Sequence, residues 1–172
     1  MKKIFPVFLI FGLIIAVAGC SSNSNPDKGI IHASTPKAAL DTYNIGDKVV
    51  VGNLTYTVNK IEKSEYIGNQ YGNVRANGIF VFVYMTIENN GKDLKKISPD
   101  YAKIICSRGR IYHSDQFNSG YLNSNILVQQ IQPKHFVSGQ ALYDVQTGVT
   151  CNLQVTDNPK GGTTQLISLG TI

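Results

Sequence analysis

Beyond about residue 42 the chain is a series of short runs in which apolar and polar residues alternate. The run Leu54–Ile61 has a period of two, which predicts a β-strand with one buried and one solvated face. Only Gly52-Asn53 separates it from the strand-like run Asp47–Val51. A two-residue connection of this type between two such runs predicts a tight β-hairpin.

The longest alternating run is Ile79–Asn89. One side of it is wholly apolar, and the other side changes from aromatic at Phe80 to polar at Glu88. This pattern predicts a central strand that is covered on both faces at one end. The apolar side comprises Ile79, Val81, Val83, Met85 and Ile87.

Further strand-like runs follow, separated by turn residues such as Asn90-Gly91 and by Pro133. They are Tyr101–Cys106, Arg110–His113, Phe136–Val145, Thr150–Val155 and, as a last edge strand, Leu166–Leu169. A total of about seven to nine short strands with regular turn signals predicts an all-β fold, best described as an immunoglobulin-like β-sandwich. The chain has no Trp, so the Cys-Trp-Cys signature of antibody domains is absent.

Two polar segments, Ser64–Gly78 and Ser114–Asn125, interrupt the strand pattern and are predicted to be loops. They mix Asn, Ser and Gly with aromatic residues, and such mixtures are typical of recognition surfaces. The alternative is that these are ordinary connections whose aromatic rings fold back onto the sandwich. The candidate binding residues are Tyr66, Tyr71, Phe117 and Tyr121.

The amino terminus has the pattern of a bacterial export signal. Lys2 and Lys3 precede the uncharged, mostly apolar run Ile4–Ala18, which is shorter than a membrane-spanning helix needs. The sequence Val17-Ala18-Gly19-Cys20 then resembles the lipobox of bacterial lipoproteins. It predicts cleavage between Gly19 and Cys20 and a diacylglycerol on the Cys20 thiol, which gives stable anchoring. The alternative is an ordinary signal peptide followed by an incidental cysteine.

These patterns divide the chain into three parts. Residues 1–19 are the predicted lipoprotein signal peptide, residues 20–42 a lipidated flexible linker, and residues 43–172 the β-sandwich domain. A coil of this length would hold the domain about 25 Å from the membrane on average. The predicted location is the extracytoplasmic face of the cell membrane, with the lipid on Cys20 as the membrane contact.

Cys106 and Cys151 remain after Cys20 is assigned to the lipid. An even pair in an exported chain permits a disulfide bond. Each cysteine also lies in an apolar strand-like run, where a free thiol behaves as a small buried hydrophobic group. The sequence leaves both alternatives open.

The formal net charge is +5, of which Lys2 and Lys3 contribute two, so the mature chain carries +3. That excess is too small to indicate nucleic-acid binding. A weak attraction to anionic lipid or wall polymer is compatible with it. The basic residues either form one such patch or are simply a solvated face; they are Lys92, Lys95, Lys96, Arg108 and Arg110.

The sequence predicts neither a catalytic site, nor a metal site, nor a cofactor. His32, His113 and His135 have no second ligand at metal-binding spacing. Nucleophile-elbow and phosphate-loop motifs are absent. Four Asp residues stand beside turns, where Asp commonly accepts hydrogen bonds from backbone N–H groups: Asp100, Asp115, Asp144 and Asp157. The alternative is that folding brings two of these carboxylates together as a general acid and base.

Three segments support a family resemblance. Phe80–Lys92, Ile104–Tyr112 and the stretch from Ile131-Gln132-Pro133 through Gly139 to Val145 resemble the corresponding strands and turns of domain-of-unknown-function family 4352. This resemblance implies an immunoglobulin-like sandwich, similar to the mycobacterial immunoprotective antigen fold, in an exported protein that is often a lipoprotein of Gram-positive bacteria. The family brings no catalytic residues, and it usually has Gly where this chain has Lys134.

The function expected from these observations is that of a non-catalytic, lipid-anchored binding module for an envelope or extracellular protein or polymer. An envelope chaperone or an inhibitor of a cell-wall enzyme is the alternative. A hydrolase is the least favoured reading, because no nucleophile-base constellation is present.

Overall fold

The structure, a computed structural model, describes residues 42–70 and 72–172. The predicted signal peptide, the lipidation site Cys20 and the linker up to residue 41 lie outside the described residues, as does Tyr71. None of the helices within the described part of the chain is long and apolar enough to cross a bilayer.

The described residues form eleven β-strands and four single-turn 3₁₀-helices. The strands are β1 Thr42–Tyr43, β2 Val49–Val51, β3 Leu54–Asn69, β4 Gly72–Asn89, β5 Lys95–Lys96, β6 Ala102–Cys106, β7 Ile111–Tyr112, β8 Gln130–Ile131, β9 Phe136–Val145, β10 Thr150–Thr156 and β11 Thr164–Thr171. The 3₁₀-helices are Pro99–Tyr101, Ser107–Gly109, Asn118–Tyr121 and Ile126–Val128. The all-β prediction is confirmed, and the larger strand count comes from two-residue strands that no periodicity can reveal.

Two main sheets build the sandwich. One has five strands in the order β1-β11-β10-β6-β7, and the other has four in the order β2-β3-β4-β9. A small third ladder pairs β5 with β8. The predicted β2–β3 hairpin is present, with Val51 opposite Leu54 across Gly52-Asn53. Gly52 has φ +56°, which glycine adopts at little cost at the first position of such a turn.

The core lies between the two sheets and contains alternate residues of the long strands. On β4, Val81, Val83, Met85 and Ile87 are fully buried, as the alternating pattern predicted. Two core tyrosines satisfy their hydroxyls internally: Tyr56 donates to the Thr156 carbonyl at 2.7 Å, and Tyr143 donates to the Ala102 carbonyl at 3.1 Å. Burial raises the pKa of both phenols, since the anion would lose its hydration.

A disulfide joins Cys106 and Cys151, which lie directly opposite each other on β6 and β10 with 4.0 Å between their Cα atoms. Both side chains are buried in the core. Of the two alternatives left open by the sequence, the structure therefore has the disulfide. It links the neighbouring strands at the middle of the five-stranded sheet.

The strand predicted at Leu166–Leu169 is present as part of β11, but its predicted position at the sheet edge is wrong. The strand is longer, and it lies between β10 and β1, with Thr42 and Tyr43 paired in parallel to Leu166 and Ile167. Thr42 was assigned to the linker because nothing in the polar sequence before it signals a strand. The short β1 covers the N–H and C=O groups that β11 would otherwise expose.

The sandwich has two distinguishable ends. At one end the Asn90 amide donates to the Asn53 carbonyl at 2.8 Å, and a Cβ on Gly52 or Gly162 would lie about 2 Å from Asp157 oxygens. The turns around residues 52–53, 90–94, 132–135 and 157–162 therefore lie together, and we call this the lysine end. The β3–β4 hairpin extends from the opposite end, the hairpin end.

Candidate binding surface

The segment Ser64–Gly78 is not a loop. Residues 64–69 continue β3 and residues 72–78 begin β4, and they form a paired extension of the hairpin in which Tyr66 is opposite Arg75 and Ile67 is opposite Val74. Gly68, Asn69 and Asn73 have low β-propensity, which hid the strands from sequence reasoning. Backbone hydrogen bonds between β3 and β4 hold the extension together, although its side chains show little alternation of polarity.

A bulge sets the hairpin extension off from the rest of the sheet. The register passes from Ser64 opposite Phe80 to Tyr66 opposite Arg75, so the single residue Glu65 faces residues 76–79. Asp144 holds this bulge, because its carboxylate accepts from the Asn77 amide at 2.7 Å, the Asn77 side chain at 2.9 Å and the Gly78 amide at 2.9 Å. Such a bulge bends and twists the strand that contains it.

Gly78 is required at this point. A Cβ there would lie 2.2 Å from the Val145 carbonyl oxygen, so any other residue would force the bulge away from β9. Asp144 was predicted to accept backbone N–H groups, and it does. Together Gly78 and Asp144 fix the bend where β4 leaves the sandwich.

A second apolar cluster lies on the outer face of the four-stranded sheet, the face turned away from the other sheet. Ile67 of the hairpin extension packs with Phe80 and Leu142, and all three are buried. The prediction that β4 is covered on both faces at one end is therefore confirmed. Burying each of these side chains contributes about 1.5–3 kcal/mol, which holds the extension against the sheet. Val74, Ala76, Phe82 and Leu122 pack around them.

The segment Ser114–Asn125 contributes to the same cluster through Leu122. It follows the free edge of β9: the Asp115 amide donates to the Leu142 carbonyl at 2.7 Å, and the Gln140 amide donates to the Ser124 carbonyl at 2.8 Å. Asp115 also accepts from the Asn118 amide at 2.9 Å, which stabilises the 3₁₀-helix Asn118–Tyr121. The segment thereby protects the sheet edge and is held in a defined conformation.

Gly139 allows this close approach. A Cβ at that position would lie 2.7 Å from the Ser124 carbonyl oxygen. The late glycine quoted in the family resemblance thus has a physical reason: the segment 114–125 lies directly on β9 there.

The aromatic side chains of the two segments remain exposed. Phe117 is 95% exposed, Tyr66 50% and Tyr121 36%. The Arg75 guanidinium lies over the Tyr66 ring, 5.7 Å from its centroid. The alternative that the aromatic rings fold back is wrong for Phe117, whereas Tyr66 and Tyr121 are partly covered and keep one side in solvent. Tyr66 and Arg75 lie on the face of the extension opposite Ile67 and Val74. We give the name aromatic surface to the exposed side chains of the two segments, Tyr66, Arg75, Phe117 and Tyr121.

A polar cluster lies on the outer face of the four-stranded sheet, further along β4 from Phe80 and Phe82. Glu62 accepts from Lys60 at 2.6 Å and from the Tyr84 hydroxyl at 2.5 Å, and Lys60 lies 4.3 Å from the Tyr84 ring centroid. The hydrogen bond from Lys60 lowers the pKa of Glu62, and that from Tyr84 lowers it further. Lys60 and Glu62 are exposed, so these contacts orient the side chains rather than stabilise the fold.

The predicted basic patch does not exist as one surface. Arg110 donates to Gln146, which follows β9 at the hairpin end, and Arg108 lies in the adjacent turn. Lys95 instead pairs with Ile131, whose carbonyl accepts from Asn89 at the lysine end. The two groups are separated by the ten residues of β9, about 30 Å.

The described residues contain no group of three or more His, Cys, Asp or Glu that could hold a metal ion. His113 and His135 are exposed, and the His135 Nδ1 lies 2.9 Å from the Pro133 carbonyl oxygen. His32 lies outside the described residues. Within residues 42–70 and 72–172, the arrangement therefore offers contact area and hydrogen bonds rather than a reactive constellation.

Comparison with known proteins decides the family. The model of the domain of unknown function DUF4352 matches residues 43–165. The chain belongs to this family. This DUF4352 domain is also similar to the uncharacterized protein YxkC of Bacillus subtilis, with 36% identity over 77 residues, which are 43% of this chain and 43% of YxkC.

Solved structures show the same fold at low sequence identity. The yjhA protein of Bacillus subtilis superposes with a TM-score of 0.57 at 16% identity, over 73% of this chain and 98% of that one. A conserved hypothetical protein of Bacillus anthracis gives 0.55 at 12%, over 72% and 94%. The secreted protein MPT63 of Mycobacterium tuberculosis gives 0.50 at 12%, over 77% and 98%. The family and the sandwich expected from the sequence are thereby confirmed.

The family's usual glycine after the late Pro can now be explained. Lys134 has φ +63°, a left-handed conformation that favours glycine, and its amide donates to the Asn89 carbonyl at 2.8 Å. The turn keeps the geometry that glycine would provide, in spite of the lysine.

Proposed function

We propose that the protein is a lipid-anchored, extracytoplasmic binding module that contacts an envelope protein through its aromatic surface. The observation that carries this proposal is the exposure of Tyr66, Phe117 and Tyr121 on segments that are themselves fixed to the sheet. Rigid aromatic side chains supply contact area at low entropic cost, and aromatic and Arg residues dominate the energetics of interfaces.

The fixed positions of these side chains support recognition rather than a merely solvated connection. The bulge at Gly78 and the hydrogen bonds of Asp115 order the two segments before any partner arrives. A preordered surface loses less conformational entropy on binding than a mobile loop does. Phe117, at 95% exposure, places a large apolar ring in water, which a bound partner would cover.

The anchor is supported by the sequence Val17-Ala18-Gly19-Cys20 and by the pattern before it. The secreted nature of MPT63 is compatible with an exported domain of this fold. Metabolic labelling with a palmitate analogue tests the anchor directly: the wild-type protein should take up label, and Cys20→Ala should not. Equal labelling of the two proteins would refute lipidation at Cys20.

Site-specific photo-crosslinking in intact cells tests the aromatic surface. A photoreactive amino acid at position 117 should give one discrete adduct, to be identified by mass spectrometry. The same amino acid at Phe136, which is 67% exposed at the lysine end, is the matched control and should not give that adduct.

Alanine at Tyr66 and Tyr121 should abolish the position-117 adduct without changing the melting temperature. An adduct pattern that is identical from positions 117 and 136, or insensitive to both alanine substitutions, would overturn the proposal. Capture of a cell-wall enzyme whose activity the domain lowers would assign the inhibitor function instead of a general binding module.

A further inference from the structure

The chain enters the domain at the lysine end. Thr42 is paired with Leu166, two residues from the start of β11 at Thr164, and Thr164 is paired with Thr156 beside the turn 157–162. At about 3.3 Å per residue, Thr42 lies within about 7 Å of that end. The peptide that leads back toward Cys20 is therefore attached at the lysine end and far from the tip of the hairpin.

The lysine end combines exposed cationic and exposed apolar side chains. Lys92, Lys96 and Lys134 are exposed there, with Lys95 partly buried. Leu94 is 41% exposed between them, and Phe136 is 67% exposed next to the turn. Asp93 lies among these lysines and Glu88 is paired with Phe136 beside them, so the four lysines outnumber the two carboxylates.

Hydrogen bonds hold these residues in one surface. The Asn89 side chain donates to the carbonyls of Asp93 at 2.7 Å and Ile131 at 3.0 Å, which joins the turn after β4 to β8. Lys134 donates from its side chain to the Asn90 carbonyl. A depression of about 440 Å³ at the same end adds Lys103 and Lys160, with Asp100 as the acidic residue in its wall.

We propose that the lysine end docks on the anionic surface of the membrane. Basic residues near an anionic bilayer contribute attraction that falls off within a Debye length, and apolar side chains among them enter the interface. Because the chain enters the domain at the lysine end, a domain anchored through its amino terminus can place that end on the bilayer without turning over. The docked orientation rests on the proposed lipid anchor, whereas the affinity for the bilayer does not.

Vesicle binding by the chain Ala38–Ile172 tests the affinity without the anchor. This compact unit contains every residue of the main core, so it keeps the fold. Sedimentation with vesicles of phosphatidylglycerol and phosphatidylcholine should show binding that falls steeply with added salt. Vesicles of phosphatidylcholine alone should bind little. Each lysine near the surface contributes about a fivefold factor, so Lys92→Gln with Lys96→Gln should weaken binding roughly 25-fold.

The matched control removes the same charge at the other end. Arg108→Gln with Arg110→Gln also removes two exposed cationic residues, and it should change vesicle binding less than twofold. Equal losses from the two pairs would overturn the proposal, since they would indicate general attraction rather than docking of one end. Circular dichroism and melting temperature check that both variants fold alike.

Two further outcomes are decisive. Phe136→Ser should weaken the binding that remains at high salt, and its failure to do so would show that the apolar residues do not enter the interface. Lysine-dependent binding to a soluble glycerol-phosphate polymer, combined with no binding to anionic vesicles, would assign this end to a wall polymer and refute membrane docking.

Discussion

Removal of the disulfide should destabilise the domain by an amount that follows from its position in the chain. Cys106 and Cys151 are 45 residues apart, and the loop they close contains β7, β8, β9 and the segment 114–125. In the chain-entropy model, cross-linking a loop of this length restricts the unfolded chain and stabilises the native state by about 4 kcal/mol. Typical domains have 5–15 kcal/mol in total, so this is a large share.

Chemical unfolding of Ala38–Ile172 measures the effect, because that chain contains only these two cysteines. The free energy of unfolding should fall by about 4 kcal/mol in Cys106→Ala with Cys151→Ala, and by a similar amount when the wild type is reduced. The melting temperature should fall by roughly 15 °C. The denaturant m-value should rise on reduction, because the unfolded chain becomes less compact.

Two results would refute this reasoning. One is a double variant within about 1 kcal/mol of the oxidised wild type, which would mean that loop closure contributes little here. The other is alkylation of two thiols in the unreduced, unfolded wild type, which would mean that the bond is absent. The double variant itself must be indifferent to reductant, which controls for other effects of the reagent.

Three further predictions concern the turn, the bulge and the core. Lys134→Gly should stabilise the domain by about 0.5–1 kcal/mol by relieving the left-handed conformation, whereas Lys134→Ala should not, as thermal unfolding would show. Asp144→Ala should lower the free energy of unfolding by about 2 kcal/mol and speed amide exchange in residues 65–75 but not in β10. Equal acceleration in both regions would contradict the role of Asp144 in holding the bulge. Stability should fall above about pH 10, because burial raises the pKa of Tyr56 and Tyr143 and both ionise mainly in the unfolded chain. Each contributes about 1.4 kcal/mol per pH unit, so Tyr56→Phe should lower the slope in alkaline denaturation by about that amount, and an unchanged slope would contradict this.

Periodicity predicted the strands whose two sides differ in polarity. The buried residues of β4, β9 and β10 follow the expected alternation, because burial between two sheets selects apolar side chains at every second position. The hairpin extension escaped prediction for the opposite reason. Its strands are solvated on much of their surface, so backbone hydrogen bonds hold them and the side chains carry little pattern.

Sequence proximity also misled the assignment of the basic patch. Lys96 and Arg108 are only twelve positions apart in sequence. The intervening β6 runs from one end of the sandwich to the other, so Arg108 lies at the hairpin end. Conversely, Ile67 and Leu122 are far apart in sequence and pack into one apolar cluster with Phe80 and Leu142. Such neighbours depend on the register of the sheet, which single-strand periodicity does not contain.

The two proposed surfaces constrain each other. Phe117 follows Asp115, whose amide donates to the Leu142 carbonyl. Leu142 is six residues along β9 from Phe136, or about 20 Å from the lysine end. If the lysine end rests on the bilayer, Phe117 is held at about that height, whereas an undocked domain is not held at any one height. Lys92→Gln with Lys96→Gln should then replace the single position-117 adduct by several, because the same ring would reach partners over a wider range of heights. Docking would thus restrict binding to partners at one distance from the membrane. Affinity at the aromatic surface alone cannot impose that restriction.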